Sequence, residues 1–160
     1  MDFTIRELQV EDNPFIAGVI RQSLEEHGVA RPGTVYTDPT TDELYSLFCA
    51  VGSRYFIAVQ GDKVIGGCGV FPTSGLPVGC AELVKLYVTA EARGKGVGTE
   101  LMRRSAQEAR LLGYTQLYLE TLPELKKAVS LYERSGYQLL NTPLGESGHY
   151  ACTIWMIKQL

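Results

Sequence analysis

The sequence predicts a layered domain of the α/β or α+β class around a mixed β-sheet, and three observations lead to this prediction. Segments with the two-residue alternation of strands and segments with the helical period follow each other along the chain. Within residues 81–121, a strand, a helix and a second strand form a βαβ unit, so those two strands should be parallel neighbours. The 160 residues contain no internal repeat and no linker, which predicts a single domain over residues 1–160.

The N-terminal part of the chain predicts a strand and two helices. Apolar and polar residues alternate from Phe3 to Leu8, as they do in a half-buried strand. Asp12 can cap a first helix, and Asp42 can cap a short second one after a loop over residues 28–41 that is rich in turn-forming residues. The inner stripe of the first helix is predicted from apolar residues at helical spacing: Phe15, Ile16, Val19, Ile20 and Leu24.

The middle of the chain predicts a β-hairpin and a further strand. Apolar runs over residues 55–59 and 63–70 flank Gly61 and Asp62, a pair whose tolerance of positive φ suits a tight turn. Residues 81–88 then alternate in character. This predicts one face made of Leu83, Lys85 and Tyr87 and a second face made of Val84, Leu86 and Val88.

The C-terminal part predicts two helices and three strands. Gly113 and Gly136 stand where glycine commonly ends a helix. The predicted elements are a helix over residues 99–112, a strand over 116–121, a helix over 124–134, and strands over 137–140 and 152–157.

Composition and charge exclude several classes of protein. The formal net charge is −3 and the isoelectric point is about 5.4, which argues against a nucleic-acid binder that acts through a general basic field. No apolar run approaches the ~18–20 residues of a membrane span, and the polar, acidic start of the chain does not resemble a signal peptide. We therefore expect a cytoplasmic protein with no nucleic-acid or membrane partner.

The cysteines predict neither a disulfide framework nor a metal site. Cys49, Cys68, Cys80 and Cys152 form no CxxC pair and no zinc-ligand spacing. Three of them lie among apolar or small residues, where a free cysteine usually serves as a small buried side chain. We expect no metal in this protein.

A glycine-rich turn between a strand and a helix is the sharpest local signal, and it reads Arg93-Gly94-Lys95-Gly96-Val97-Gly98-Thr99. Glycines let the backbone approach a ligand, and the first amides of a helix have no partner within it, which suits a phosphate or pyrophosphate. A P-loop is excluded because no lysine follows Gly98, and a dinucleotide-binding GxGxxG is excluded because Thr99 stands at its last glycine. The pattern [RQ]xxGx[GA] fits this turn without gaps, with Arg93, Gly96 and Gly98 at its fixed positions.

This turn resembles the coenzyme A pyrophosphate loop of the GNAT (Gcn5-related) N-acetyltransferases. Residues 82–88 stand where the family has its fourth strand, and residues 128–137 resemble its "A…LYEKLGF" segment. Shorter similarities around Asp38-Pro39, Tyr118 and Gly148-His149 resemble a bacterial subgroup of small members. The resemblance implies the acyl-CoA N-acyltransferase fold: a mixed, mostly antiparallel central sheet of about seven strands with flanking helices.

The resemblance also implies the cofactor and the residues that hold it. Acetyl-CoA would donate its acetyl group to an amine by direct attack, without an acyl-enzyme. The backbone amides of residues 93–99 would bind the pyrophosphate. The pantetheine arm would lie beside the fourth strand like an additional strand, at Leu86, Tyr87 and Val88.

Three residues are candidates for proton transfer. Tyr132 matches the family tyrosine that protonates the departing sulfur. A phenol suits this role because it is protonated at neutral pH. Glu82 and Glu120 are alternative general bases, and either carboxylate needs burial to raise its pKa for that role. The family's asparagine at the start of the next helix is missing here, so that contact to the pantetheine is not expected.

The acceptor remains open at this point. Tyr36, Asp38, Glu43 and His149 are candidate substrate residues in the loops, and an amino acid would also need a cation such as Arg31 or Arg54. We expect an enzyme that acts on a small amine or amino acid. The alternatives are a protein or peptide N-acetyltransferase, which predicts an open groove between residues 28–41 and 141–150, and a non-catalytic CoA-binding module. A homodimer is compatible with the family.

Overall fold

The computed structural model describes all 160 residues and contains one seven-stranded sheet with four α-helices. The strands are β1 (Thr4–Glu7), β2 (Arg54–Gln60), β3 (Lys63–Phe71), β4 (Cys80–Val88), β5 (Gln116–Thr121), β6 (Gln138–Leu140) and β7 (Ile154–Gln159). The helices are α1 (Asn13–Glu26), α2 (Leu44–Leu47), α3 (Val97–Leu111) and α4 (Lys126–Arg134). None of these helices combines the length and apolarity that crossing a bilayer requires.

The sheet has the order β1-β2-β3-β4-β5-β7-β6, and only β4 and β5 are parallel neighbours. This confirms the mixed, mostly antiparallel sheet and the βαβ unit around α3. The ladder between β4 and β5 stops after Glu82 and Tyr118. Beyond that point the edge of β4 that faces β5 has no paired strand, so a cleft opens in the middle of the sheet.

Each face of the sheet carries its own apolar core. Ile16, Ile20 and Leu24 of α1 are fully buried against one face. Leu101 and Ala109 of α3 are fully buried against the other face. Each isoleucine or leucine buried in this way contributes roughly 1.5–3 kcal/mol of hydrophobic free energy, so the two cores hold the cleft strands between rigid layers.

The first two helices differ from the prediction in detail. Phe15 is 63% exposed because the row of Ile16, Ile20 and Leu24 defines the stripe that faces the sheet, and Phe15 lies to one side of it. Asp42 does not cap a helix. Asp38 caps the 3₁₀ turn Pro39–Glu43, and the Asp42 carboxylate instead binds Arg21.

Several predicted boundaries shift. Helix α3 begins at Val97, two residues earlier than predicted, because Gly96 adopts a left-handed conformation and becomes its N-cap. Strand β7 begins at Ile154 and not at Cys152. Of the free cysteines, Cys68 and Cys80 are buried while Cys49 is exposed.

The predicted alternation of β4 is wrong because the strand contains a β-bulge. Between the pairs Gly69–Val84 and Gly67–Tyr87, β4 has one residue more than β3. The bulge reverses the faces after Val84, so Leu83 packs in the α3 core and Tyr87 packs in the α1 core.

Candidate active site

The glycine-rich turn presents a row of free amides at the N-terminus of α3. Gly94 and Gly96 have φ of +74° and +85°, values that side chains with a Cβ rarely adopt. The amides of residues 94–99 donate no hydrogen bond to any group of the chain. This arrangement, at the positive end of the α3 dipole, fits an anionic phosphate group.

Arg93 differs from the rest of the predicted loop. Its amide bonds to the Ala90 carbonyl, so it is not among the free donors. Its guanidinium donates to the Val88 carbonyl (3.0 Å) and pairs with Glu26 on α1 (2.8 Å). Arg93 therefore fixes the turn to the end of β4 and to α1, and the free amides begin at Gly94.

A single cavity of about 380 Å³ runs from this turn into the cleft between β4 and β5. It is lined by Leu86, Tyr87 and Val88 of the unpaired strand edge and, at one end, by Gly96 and Thr99. Building a Cβ on Gly94 or Gly96 meets no atom within 4 Å, so the space beside the amides is open. A narrow thioester arm with a pyrophosphate at its end fits this combination of an unpaired strand edge and free amides.

Glu82 lies where the cleft opens, at the last residue of β4 that pairs with β5. Its side chain is buried, and the hydroxyl of Thr73 donates to its Oε1 at 2.6 Å. Burial, with the nearby Glu120 charge, raises the pKa of Glu82 from 4.5 to about 7, although Thr73 and Lys85 oppose the shift. A carboxylate with this pKa can accept a proton at neutral pH.

Glu120 lines the same cavity but serves as an anchor. The Tyr118 hydroxyl donates to Oε2 at 2.6 Å, and the Ser147 hydroxyl donates to Oε1. The Tyr118 hydroxyl also accepts a hydrogen bond from the amide of Leu144. Because both carboxylate oxygens bind the chain, Glu120 ties β5 to the loop that precedes β7.

Tyr132 reaches the cavity from α4. The residue is only 7% exposed, and its ring packs edge-to-face on Tyr137 with centroids 5.9 Å apart. Burial raises its pKa well above 10, so the hydroxyl is a proton donor throughout the neutral range.

Two loops that border the cavity bind each other. The His149 Nε2 lies 2.9 Å from Asp38 Oδ2, and the Ala151 amide donates to the Gly33 carbonyl at 3.0 Å. Although burial works against it, hydrogen bonds from His149 and Thr40 lower the pKa of Asp38 to about 2. His149 also lines the cavity, as do Thr34 and Val35, so the two loops cover one side of it. We call this cover, residues 33–38 and 147–151, the roof.

Comparisons with known proteins agree with this geometry. Residues 19–137 match the model of the Acetyltransferase (GNAT) family. The chain belongs to the GNAT family. It is 38% identical over 157 residues to the uncharacterised N-acetyltransferase YjgM of Escherichia coli K12, which covers 98% of this chain and 94% of YjgM.

Solved structures of GNAT proteins share the fold. An acetyltransferase from Staphylococcus aureus superposes with a TM-score of 0.83 at 14% identity, over 99% of both chains. A phosphinothricin acetyltransferase from Sinorhizobium meliloti, crystallised with AcCoA, superposes with a TM-score of 0.78 at 22% identity, over 100% of this chain and 89% of that one. Together with the family match, these similarities identify an N-acetyltransferase enzyme with the acyl-CoA N-acyltransferase fold.

In this GNAT chain, the cavity collects some of the sequence-predicted residues and leaves others outside. Glu82, Glu120 and Tyr132 line it together with His149. Tyr36 does not, and its hydroxyl donates to Glu25 at 2.6 Å. The exposed Glu43 also lies outside the cavity. So do the two arginines considered for binding an amino acid: Arg31 pairs with Glu124, and Arg54 lies near Glu7 and Glu108.

Sequence reasoning missed Lys85 as a site residue. The bulge turns it into the cavity, where its side chain is 4% exposed and lies 3.9 Å from Asp38. A lysine inside an otherwise apolar segment of a central strand was the available signal, and the assumed regular alternation hid its meaning.

Proposed function

We propose that this enzyme transfers the acetyl group of acetyl-CoA to the primary amine of a small molecule or amino acid by direct attack in a ternary complex. The observation that carries the proposal is the roof. The contacts Asp38–His149 and Gly33–Ala151 close the groove between the two loops that a protein or peptide acceptor would need. The cavity of about 380 Å³ has room for a thioester arm and a small acceptor.

The cofactor assignment is supported by the free amides of residues 94–99 and by the unpaired edge of β4 beside the cavity. The S. meliloti relative in fold was crystallised with AcCoA. In this reading Leu86, Tyr87 and Val88 hold the arm, and the amides of the turn hold the diphosphate. Acetyl-CoA supplies a thioester whose carbonyl carbon accepts the amine.

The chain's own residues would manage two protons. Glu82 would accept the proton that the amine loses as it forms its new bond to carbon, directly or through a water. Tyr132 would donate its proton to the sulfur as the carbon–sulfur bond breaks. One proton enters the enzyme and one leaves it, so the pair returns to its starting charge after exchange with solvent.

Replacing Tyr132 with phenylalanine is expected to lower kcat by about 100-fold, the lower end of the range for a general acid, while the Kd for acetyl-CoA changes less than about threefold. The ring and its packing on Tyr137 remain, so only the proton donor is lost. Steady-state kinetics and calorimetric titration measure the two quantities. Tyr137→Phe is the matched control, and an unchanged kcat in the Tyr132 variant would remove the acid role.

The experiment that tests the proposed function is a screen of amines and amino acids with free-thiol release as the readout. We expect thiol release that depends on a small primary amine, with N-acetylated product identified by mass spectrometry. Peptides with free N-termini or lysines, tested in parallel, should give no turnover. Turnover on peptides alone would support the protein-acetylating alternative, and cofactor binding without turnover on any amine would support a non-catalytic module.

A further inference from the structure

Lys85 is a buried charge in the cavity that the proton transfers proposed above do not use. Its side chain is 4% exposed, and it lies on β4 three residues after Glu82. A buried lysine is costly unless its charge is balanced, and burial accordingly lowers its pKa while Asp38 and Glu82 oppose that shift. The free-energy cost of burying this charge points to a functional role for Lys85.

The backbone at Lys85 is held in an unusual conformation. Lys85 is the one residue other than glycine with positive φ, +53°. The buried Tyr55 hydroxyl donates to its carbonyl oxygen at 2.7 Å, and Gly67 and Gly69 leave the space that the Tyr55 ring occupies. Strained residues of this kind persist where the surroundings enforce them, often at functional sites. Here the enforced conformation directs the Lys85 side chain into the cavity.

The ammonium group has unused hydrogen-bonding capacity. Its one ion-pair contact, with Asp38 Oδ2, is 3.9 Å long and therefore beyond a hydrogen bond. The Asp38 carboxylate is already bound by His149 at 2.9 Å and by the Thr40 amide and hydroxyl at 2.9 and 2.7 Å. Lys85 thus presents donors to the cavity that no acceptor of the chain takes.

The charges around the cavity have the arrangement that a zwitterion requires. Glu82 is suited to the amine end of an acceptor, because its carboxylate attracts an ammonium. The ammonium releases one proton to solvent, and Glu82 accepts the next one as the neutral amine attacks. Lys85 offers the opposite charge beneath the same roof, next to His149. A dianionic phosphate is disfavoured there by the Asp38 and Glu82 carboxylates, whereas a single carboxylate matches the single lysine.

We propose that Lys85 binds the carboxylate of the acceptor, and that the acceptor is therefore a small amino carboxylate, with its amine directed to Glu82. Lys85 then determines specificity and takes no part in the proton transfers. This inference rests on the proposed acetyl transfer and deepens it by naming the acceptor class.

The test compares each amino acid with its own primary amide. The panel is the standard L-amino acids, β-alanine and 4-aminobutanoate, assayed with wild-type enzyme, Lys85→Met and the control Arg31→Met. For the best acceptor we expect wild type to prefer the carboxylate over the amide by about tenfold or more in kcat/KM, as for a hydrogen bond to a charged group. Lys85→Met should reduce that preference to less than about threefold, mainly through KM, and Arg31→Met should keep it.

The ratio of kcat/KM for the amino acid to kcat/KM for its amide separates a role of Lys85 in specificity from its other possible effects. Any effect of the variant on the pKa of Glu82 or on folding acts on acid and amide alike, so it cancels. Equal losses for both series, or a wild-type preference for amides, would overturn the inference and leave the acetyl transfer standing. If neither series is acetylated while another small amine of the screen is, the inference fails and the acetyl transfer stands. If acetyl-CoA binds and no amine of the screen is acetylated, both proposals fail.

A binding measurement provides a readout that does not depend on turnover. With CoA present, the N-acetylated form of the best amino acid should bind wild type in calorimetry, and the N-acetylated amide should bind more weakly by about tenfold or more. Lys85→Met should bind the two equally. A Lys85→Met protein that retains the wild-type difference contradicts the assignment, and its unchanged affinity for CoA serves as the check of folding.

Discussion

Glu82→Gln is expected to lower kcat about 10²–10⁴-fold, the range typical for loss of a general base. The substitution keeps the size of the side chain and an oxygen for the Thr73 hydroxyl, so the buried site has no reason to collapse. In wild type, kcat/KM should fall as the pH drops through about 7, because protonation removes the base. Glu82→Gln should have a pH profile without that acidic limb.

Glu120→Gln is the matched control for the same cavity. Both Glu120 oxygens are bound to Tyr118 and Ser147, so we expect this variant to lose thermal stability and to keep the acidic limb, with kcat reduced less than about tenfold. If the limb disappears in Glu120→Gln and persists in Glu82→Gln, the base is Glu120.

Glu82→Gln, which is expected to lower kcat, should stabilise the folded protein relative to wild type as the pH rises. The pKa of Glu82 is higher in the folded protein, about 7, than the ordinary 4.5, so its ionisation destabilises the fold as the pH rises through 7. Relative to wild type, the free energy of unfolding of Glu82→Gln should therefore increase by roughly 2–3 kcal/mol between pH 5 and pH 8.5. Urea unfolding at the two pH values measures this, and a constant difference would mean that Glu82 titrates normally.

Gly96→Val is expected to weaken acetyl-CoA binding by about 100-fold or more. Gly96 has φ of +85° and is the N-cap of α3, and a β-branched residue there must change the backbone that orients the amides of residues 94–99. Calorimetric titration of acetyl-CoA measures the loss directly.

Gly113→Val is the control, because it imposes the same strain on the same helix away from the cavity. Gly113 follows the C-terminus of α3 with φ of +93°, and a Cβ there meets no atom within 4 Å. Both variants should lose comparable stability, about 1–2 kcal/mol or more, and only Gly96→Val should lose the cofactor. Wild-type affinity in Gly96→Val would contradict the role assigned to the turn.

The order of strands and helices and the glycine-rich turn were predictable from the sequence, because their signals are local. Side-chain alternation, helical spacing and the glycines at positions 94 and 96 act within a few residues of where they stand. The same applies to the parallel pairing of β4 and β5, which follows from the short crossover through α3.

The features that favour Glu82 over Glu120 as the proposed general base come from the tertiary structure. Glu82 and Glu120 each lie in a strand, and the residues next to them in the sequence do not show which side chains hydrogen-bond to each carboxylate. The groups that distinguish them, Thr73 and Ser147, come from separate loops, and the pKa of Glu82 depends on burial that the whole sheet produces.

The family, the fold and the free amides of the glycine-rich turn all follow from local signals in the sequence. Folding brought Lys85 to the cavity, through a bulge that depends on Tyr55 and on the glycines of β3. It also joined Asp38 to His149, 111 residues away, to form the roof. Local patterns did not reveal these contacts, because burial and the approach of charged groups from distant segments arise only once the chain has folded.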